Sequence, residues 1–239
     1  MQNNDPIGKA ILDFAADGKD ENIRVESDIM EDDVIPVKYL FRPFELMPEI
    51  ERLALQHCEG HILDVGAAAG PHTDWLRNNN HKVTAIDTSD GSIQYLDQKF
   101  PDTSNLRLSI NDLSSEYYQF DTIILLMNGI GLAGELSELV GFLKHLKSLL
   151  SEKGKILCDS VDVSYFYEDT DGAMWVDLNS NYQGDFKFKM HYKDHETDWF
   201  NWLYVDENAM SNACEDAGLD ISILLKDEDS YLAELTIKK

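Results

Sequence analysis

Positive charge is what this chain has least of: 20 Lys and Arg stand against 45 Asp and Glu, a formal net charge of −25 at pH 7. A surface that tracks nucleic-acid phosphates needs a clustered basic face, and the sequence shows none. The same shortage argues against docking on anionic lipid and leaves a neutral or cationic small molecule as the easiest ligand. Cysteine is scarce too. Cys58, Cys158 and Cys214 lie far apart, with no CxxC and no Cys/His pairing, so neither a disulfide frame nor a zinc site is expected. No apolar run approaches the roughly eighteen residues of a membrane span. The opening MQNNDPIGKA lacks the basic start and greasy stretch of a secretory signal, so a cytoplasmic location is expected. Internal repeats and low-complexity segments are absent. What is present is 43% hydrophobic residues, enough for a core, in 239 residues, which predicts one elaborated domain rather than a disordered acidic chain.

The first forty residues are mixed. Ile7, Ala10, Ile11 and Phe14 have helical spacing, and a strongly acidic connection then runs to Pro36. From Pro48 a helix is expected, with Ile50, Leu53, Ala54 and His57 on one side and Gly60 as its stop. A regular alternation follows. HILDV, KVTAID, NLRLSI, FDTIILLM and KILCDSV read as buried strands. Helices fall around Trp75, after Ser89, and from Leu136 to Leu150 with Gly154 as the last one's stop. Strands buried on both faces and separated by helices imply a parallel sheet. The tail departs from this: Phe186 to Tyr192 and Thr197 to Val205 read as a hairpin joined by KDHE. A helix capped by Asp206 and stopped by Gly218 comes next, then LDISILL and YLAELTI around a short turn.

In an open α/β sheet a ligand binds beyond the carboxyl ends of the strands, at the switch point. Here that place is Asp64-Val65-Gly66-Ala67-Ala68-Ala69-Gly70. The dinucleotide fingerprint G-x-G-x-x-G fails, because its three glycine positions hold Gly66, Ala68 and Pro71; a nicotinamide-dependent oxidoreductase is therefore a disfavoured rival. D-x-G-x-G-x-G fits better, with only the middle glycine replaced, by Ala68. Asp87 ends the second strand, where a carboxylate accepts hydrogen bonds from ribose hydroxyls; Asp87-Thr88-Ser89 is also a helix-capping cluster. Asn111-Asp112-Leu113 follows the third strand, able to meet an adenine edge by hydrogen bonding and apolar contact. Asn128-Gly129-Ile130-Gly131 follows the fourth.

With these motifs in this order, the chain resembles the class I S-adenosylmethionine-dependent methyltransferases from about Gly60 to its C-terminus. ILDVGAAAG is similar to their first motif, VTAIDTS to the ribose-binding strand, INDL to the adenine loop, FDTIILLMNGIG to the fourth-strand motif and GKILCDS to the fifth strand. The resemblance implies a doubly wound, seven-stranded, mostly parallel α/β sheet in the order 3-2-1-4-5-7-6, with an antiparallel hairpin inserted after strand five. It implies S-adenosylmethionine as cofactor. Backbone at Gly66, Ala68 and Gly70 would approach it, and Asp64 would help hold its amino-acid end. Asp87 with Thr88 would bind the ribose, Asp112 with Leu113 the adenine, and Asn128 would line the sulfonium end. This cofactor has no pyrophosphate, so the methyl group of Ala68 is tolerable if φ there stays negative. Catechol-type members carry metal-binding acids near the positions of Asp159 and Asp162, but such a site also wants a carboxylate where this chain has Asn128, so no metal is expected.

On this reading residues 1–47 are an N-terminal cap and 48–239 the methyltransferase-like domain, with 162–205 as an inserted hairpin or lid. Arg42, the one cation in YLFRPFE, either clamps a carboxylate of cofactor or substrate or pairs with Glu45. His191 and Trp199 of the hairpin are further substrate candidates, and His191 or Tyr39 is the nominee for a general base, a group that methyl transfer does not always need. The expected function is methyl transfer to a small-molecule acceptor. A non-catalytic protein that binds the same cofactor and regulates a partner is the alternative, motivated by the softened glycine motif.

Overall fold

The structure is a computed structural model that describes residues 4–164 and 182–238. The expected lid therefore includes residues, 165–181, that lie outside the described ones. Helix α1 (Pro6–Asp17) forms as its periodicity predicts. Asp5 caps it by accepting the Gly8 N–H at 2.9 Å, and Gly18 ends it in the left-handed region. The acidic stretch that follows is not a plain connection. It forms the antiparallel strands β1 (Asn22–Ser27) and β2 (Asp33–Pro36). Their signal in the sequence is faint because they are short and only Ile23 is fully buried. After two 3-10 turns, Val37–Phe41 and Phe44–Leu46, comes α2 (Glu49–Gln56). Its buried face is Ile50, Glu51, Ala54 and Leu55 rather than the expected set, which puts a carboxylate in the interior.

The alternation then builds the main sheet. Strands β3 (His61–Val65), β4 (Lys82–Asp87), β5 (Ser104–Arg107), β6 (Phe120–Leu125) and β7 (Leu150–Val161) run parallel. They are joined through helices α3 (Pro71–Asn78), α4 (Asp90–Lys99) and α5 (Leu136–Ser148). In β6, Ile123 and Leu125 enter one core cluster while Ile124 and Leu126 enter the other, so a strand covered on both faces reads as a continuous apolar run. Gly154 does not stop α5. It lies inside β7, where a Cβ would meet the Phe120 carbonyl oxygen at 2.7 Å, and that close approach is why glycine is needed.

A second sheet is made by β8 (Asp185–Tyr192), the two-residue β9 (His195–Glu196) and β10 (Phe200–Leu203) together with the N-terminal strands, in the order β10-β8-β1-β2. The expected hairpin exists, but its turn is only Lys193-Asp194, and β8 continues onto β1. Strand alternation gives this sheet two faces. Phe186 and Phe188 join a cluster with Val161, Val163 and Trp202; Met190 and Tyr192 join one with α1, Ala68 and Ala69. The sheet thus roofs the carboxyl edge of the main sheet from the Gly/Ala bend to the end of β7. Helix α6 (Glu207–Ala217), capped by Asp206 and ended by Gly218, leads into β11 (Leu219–Asp227) and β12 (Ser230–Ile237). Strand β12 pairs antiparallel with both β7 and β11. The main sheet has the order β5-β4-β3-β6-β7-β12-β11, which is 3-2-1-4-5-7-6 counted along that sheet.

The N-terminal segment is fastened where α1 crosses α4. A Cβ at Gly91 would meet the Gly8 carbonyl carbon at 2.4 Å, and Asp5 also accepts from the Ser89 hydroxyl and the Gly91 N–H, at 2.9 and 3.0 Å. Gly91→Ala is expected to push the helices apart and cost about 1–3 kcal/mol. Urea denaturation reads the loss, and amide exchange should localise it to α1; an unchanged midpoint would contradict this packing.

Candidate functional site

The bend between β3 and α3 alternates in hand. Gly66, Ala68 and Gly70 have φ of +72°, +49° and +76°. At Gly66 an added Cβ would meet nothing within 4 Å, so its bare backbone faces open space at the end of β3. At Gly70 a Cβ would meet Leu96 at 2.6 Å and Phe100 at 2.8 Å, so that glycine seats α4. Ala68 does not keep the negative φ that its methyl group prefers. A left-handed alanine costs roughly 1–2 kcal/mol, and two contacts offset it here: its N–H donates to Asp87 Oδ2 at 2.8 Å, and its side chain packs with the α1 cluster. The methyl group that breaks the glycine pattern is the surface on which the cap rests.

Asp87 ends β4 and links two elements. Oδ2 accepts from Ala68, and Oδ1 accepts the Ser89 N–H at 2.8 Å, where α4 begins. Burial pushes its carboxyl up to about 6, against those two N–H bonds. Thr88 beside it is exposed. Asp64 is buried, and its Oδ2 accepts the Thr73 hydroxyl at 2.6 Å, so it ties β3 to the first turn of α3 instead of facing the crevice bare. Asp112 is exposed in a 3-10 turn, Ile110–Asp112, capped by Ser109, whereas Leu113 is buried in the main core. The side chain of Asn128 is already engaged: its amide donates to the Leu203 carbonyl at 3.1 Å and its oxygen accepts from Ser160 at 3.0 Å.

A buried polar cluster lies alongside, with little in the sequence to announce it. Arg42 does not pair with Glu45. Its guanidinium grips both oxygens of Glu51, at 2.6 Å for Oε1, donates to the Tyr39 carbonyl at 2.7 Å, and lies 3.9 Å from the centre of the Tyr39 ring. His72 Nε2 also meets Glu51, at 2.7 Å. A carboxylate on the inner face of α2 was the one available signal. His191 and Trp199 do not join this group. His191 lies on the outer face of the second sheet, between Glu26 at 2.7 Å and Glu196 at 3.3 Å. Trp199 is 50% exposed. Among the described residues no three His, Cys, Asp or Glu are grouped to hold a metal ion, and no helix is long and apolar enough to cross a membrane.

The residues present fit an adenosyl cofactor. Gly66 offers backbone to open space with no side chain in the way, and Asp87 is a partly exposed acceptor at the end of β4. This fold and bend define a nucleoside-binding α/β domain of the methyltransferase type. Residues 62–154 match the family model described as a methyltransferase domain. The whole structure superposes on the SAM-dependent methyltransferase from Bacteroides fragilis, solved in complex with S-adenosyl-L-homocysteine. That match has a TM-score of 0.91 and 37% identity, covering 100% of this chain and 97% of that one. Two remote matches share the fold alone: the PH0226 protein of Pyrococcus horikoshii OT3 (TM-score 0.58, 16% identity, 79% and 88% coverage) and the CcbJ methyltransferase of Streptomyces caelestis (0.61, 10%, 84% and 92%). No curated protein matches the sequence. The chain belongs to the class I S-adenosylmethionine-dependent methyltransferases, and S-adenosylmethionine is its methyl donor.

The site's carboxyls set a pH dependence. Burial raises Asp87 to about 6 and Asp159 to about 7 from an ordinary 3.8, so both bind protons more tightly folded than unfolded. The stability they contribute is full below about pH 4 and lost as pH rises through 6 to 7. For Glu51, burial acts to raise the carboxyl, but His72 and Arg42 together hold it below its ordinary 4.5. Its contribution is present above that value and lost in acid. The ligand-free protein should therefore lose stability between pH 5 and 8. Asp87→Asn or Asp159→Asn should flatten that slope in urea titrations; a slope unchanged in both would refute the assignment.

Proposed function

We propose that this methyltransferase acts on a small molecule, and that its crevice is read residue by residue as follows. Backbone at Gly66, Ala68 and Gly70 lies along the cofactor, with Asp64 steadying the bend through Thr73. Asp87 and Thr88 take the ribose hydroxyls, and Asp112 the adenine amino group. Leu113 supports the adenine side from the core. Asn128, its side chain committed to Leu203 and Ser160, presents backbone at the sulfonium end. Residues 1–47 serve as a cap over the 48–239 domain, and the described part of the 162–205 segment, from residue 182 on, contributes the rest of the cover.

The observation that carries the acceptor class is the roof. The inner face of the β10-β8-β1-β2 sheet rests on the Gly/Ala bend at one end and on Val161 and Val163 at the other. That arrangement supports a compact acceptor entering beneath a packed sheet, in preference to a polymer lying on an open face. The chain's net charge of −25 supports the same choice over nucleic acid. When bound, the cofactor supplies a methyl carbon already made electrophilic by its sulfonium. What the protein adds is alignment of donor and acceptor and exclusion of water. Three buried free thiols, with Cys58 and Cys214 pushed up to about 12 by burial, support a reducing, cytoplasmic setting.

Asp87→Ala should weaken S-adenosylhomocysteine binding about tenfold or more in calorimetry, because it removes a charged acceptor. Asp162→Ala should leave it unchanged, since among the described residues the Asp162 carboxylate bonds locally, to the Ser164 N–H at 2.9 Å. Equal losses in the two variants would end the ribose assignment.

A further inference from the structure

Asp159, near the end of β7, has no task in the reading so far. Its Oδ2 accepts the Asn128 N–H at 2.9 Å, but among the described residues Oδ1 is buried without any hydrogen-bond partner. A carboxylate oxygen withdrawn from water with no donor is costly, and a native fold keeps one where a ligand or a proton completes it. The residue as a whole keeps partial exposure, although Oδ1 itself is covered. Strand alternation turns Asp159 to the same side as Leu157, toward α2 and α3. The ionisable groups that bear on it are Glu51 of α2, His72 of α3 and Tyr39 of the turn beneath the cap, with Arg42 already spent on Glu51. Asn128, which it holds, directly follows the fourth-strand end of the crevice.

We propose that Asp159 Oδ1 accepts an N–H of the methyl acceptor, that the reacting atom of that acceptor is an amine nitrogen, and that Asp159 orients this nitrogen and balances the positive charge it gains. The proposal rests on small-molecule methyl transfer and adds the acceptor's chemistry and a catalytic residue. In the step, the nitrogen lone pair forms the new N–C bond while the methyl carbon's bond to sulfur breaks. The electron pair of that bond stays on sulfur, and the nitrogen keeps its proton against Oδ1 as an ammonium, losing it to water after release. An amine suits this carboxyl better than an alcohol does. A neutral amine attacks through its own lone pair and becomes an ammonium with a pKa of about 10, so it needs a carboxylate to orient it and balance its charge and not a base. An aliphatic hydroxyl requires a base much stronger than a carboxylate.

Sinefungin tests this without knowledge of the acceptor. It keeps the adenosine and amino-acid ends of S-adenosylhomocysteine but carries an amine-bearing carbon where the cofactor has its sulfonium and methyl group. The intact protein should bind sinefungin more tightly than S-adenosylhomocysteine at pH 8, and the preference should shrink as pH falls to 6 and Asp159 is protonated. Asp159→Asn should erase about tenfold or more of that preference while leaving S-adenosylhomocysteine affinity unchanged, which also shows that the variant folds. Equal weakening of both ligands would put Asp159 at the cofactor's amino-acid end and overturn the proposal. So would an unchanged ratio, or a wild-type ratio independent of pH. If neither ligand binds the wild type, the cofactor reading itself has failed, a different result from any of these.

Discussion

The carboxylate of Asp87 holds two backbone segments in register, and the rest of the site depends on that bridge. One oxygen takes the N–H of a left-handed alanine in the first bend, and the other takes the N–H of the residue that caps α4. The bend cannot relax away from the strand ends without breaking a charge-assisted bond in a half-dry setting. The same carboxyl keeps lone pairs to offer a ligand, so one group both shapes the crevice and recognises what enters it. The raised affinity of this carboxyl for a proton reflects how little water reaches it.

The cap is built onto this bridge and is not a loose appendage. Asp5 binds the Ser89 hydroxyl and the Gly91 N–H, α1 crosses α4 glycine to glycine, and Ala68 and Ala69 give the cap its apolar seat. Strands β1 and β2 then extend β8, so the N-terminal segment and the β8–β10 segment between β7 and α6 close over the main sheet as one sheet. Beneath lies an interior of charge: Arg42 and His72 neutralise Glu51, while Asp159 is left with an oxygen to fill. Such pairs contribute little net stability once desolvation is counted, but breaking one leaves an unpaired buried charge.

Much of the fold was legible because its signals are local. A five-strand parallel run covered on both faces writes itself as apolar segments, and Asp206, Gly218 and Ser89 act as the caps that their chemistry suggests. Gly154 misled because close backbone approach and a helix stop call for the same residue. Strands β1 and β2 were missed because they are short, only Ile23 in them is fully buried, and charged residues such as Arg24 and Asp33 interrupt the apolar pattern. In the site, the Gly/Ala bend and Asp87 could be read from spacing. The Arg42–Glu51–His72 cluster could not, since nothing local pairs residue 42 with residue 51. His191 looked like a base because strand alternation gives two faces and the sequence alone does not say which one is inward.

The account's central claim is that the bend and Asp87 grip an adenosine. A crystal structure of the chain with S-adenosylhomocysteine tests this most directly. The account predicts ribose hydroxyls within about 3.2 Å of the Asp87 carboxylate, with its bonds to Ala68 and Ser89 intact and the ligand lying against Gly66. A ligand seated elsewhere, or an Asp87 that has turned from the crevice to make room for it, would contradict it.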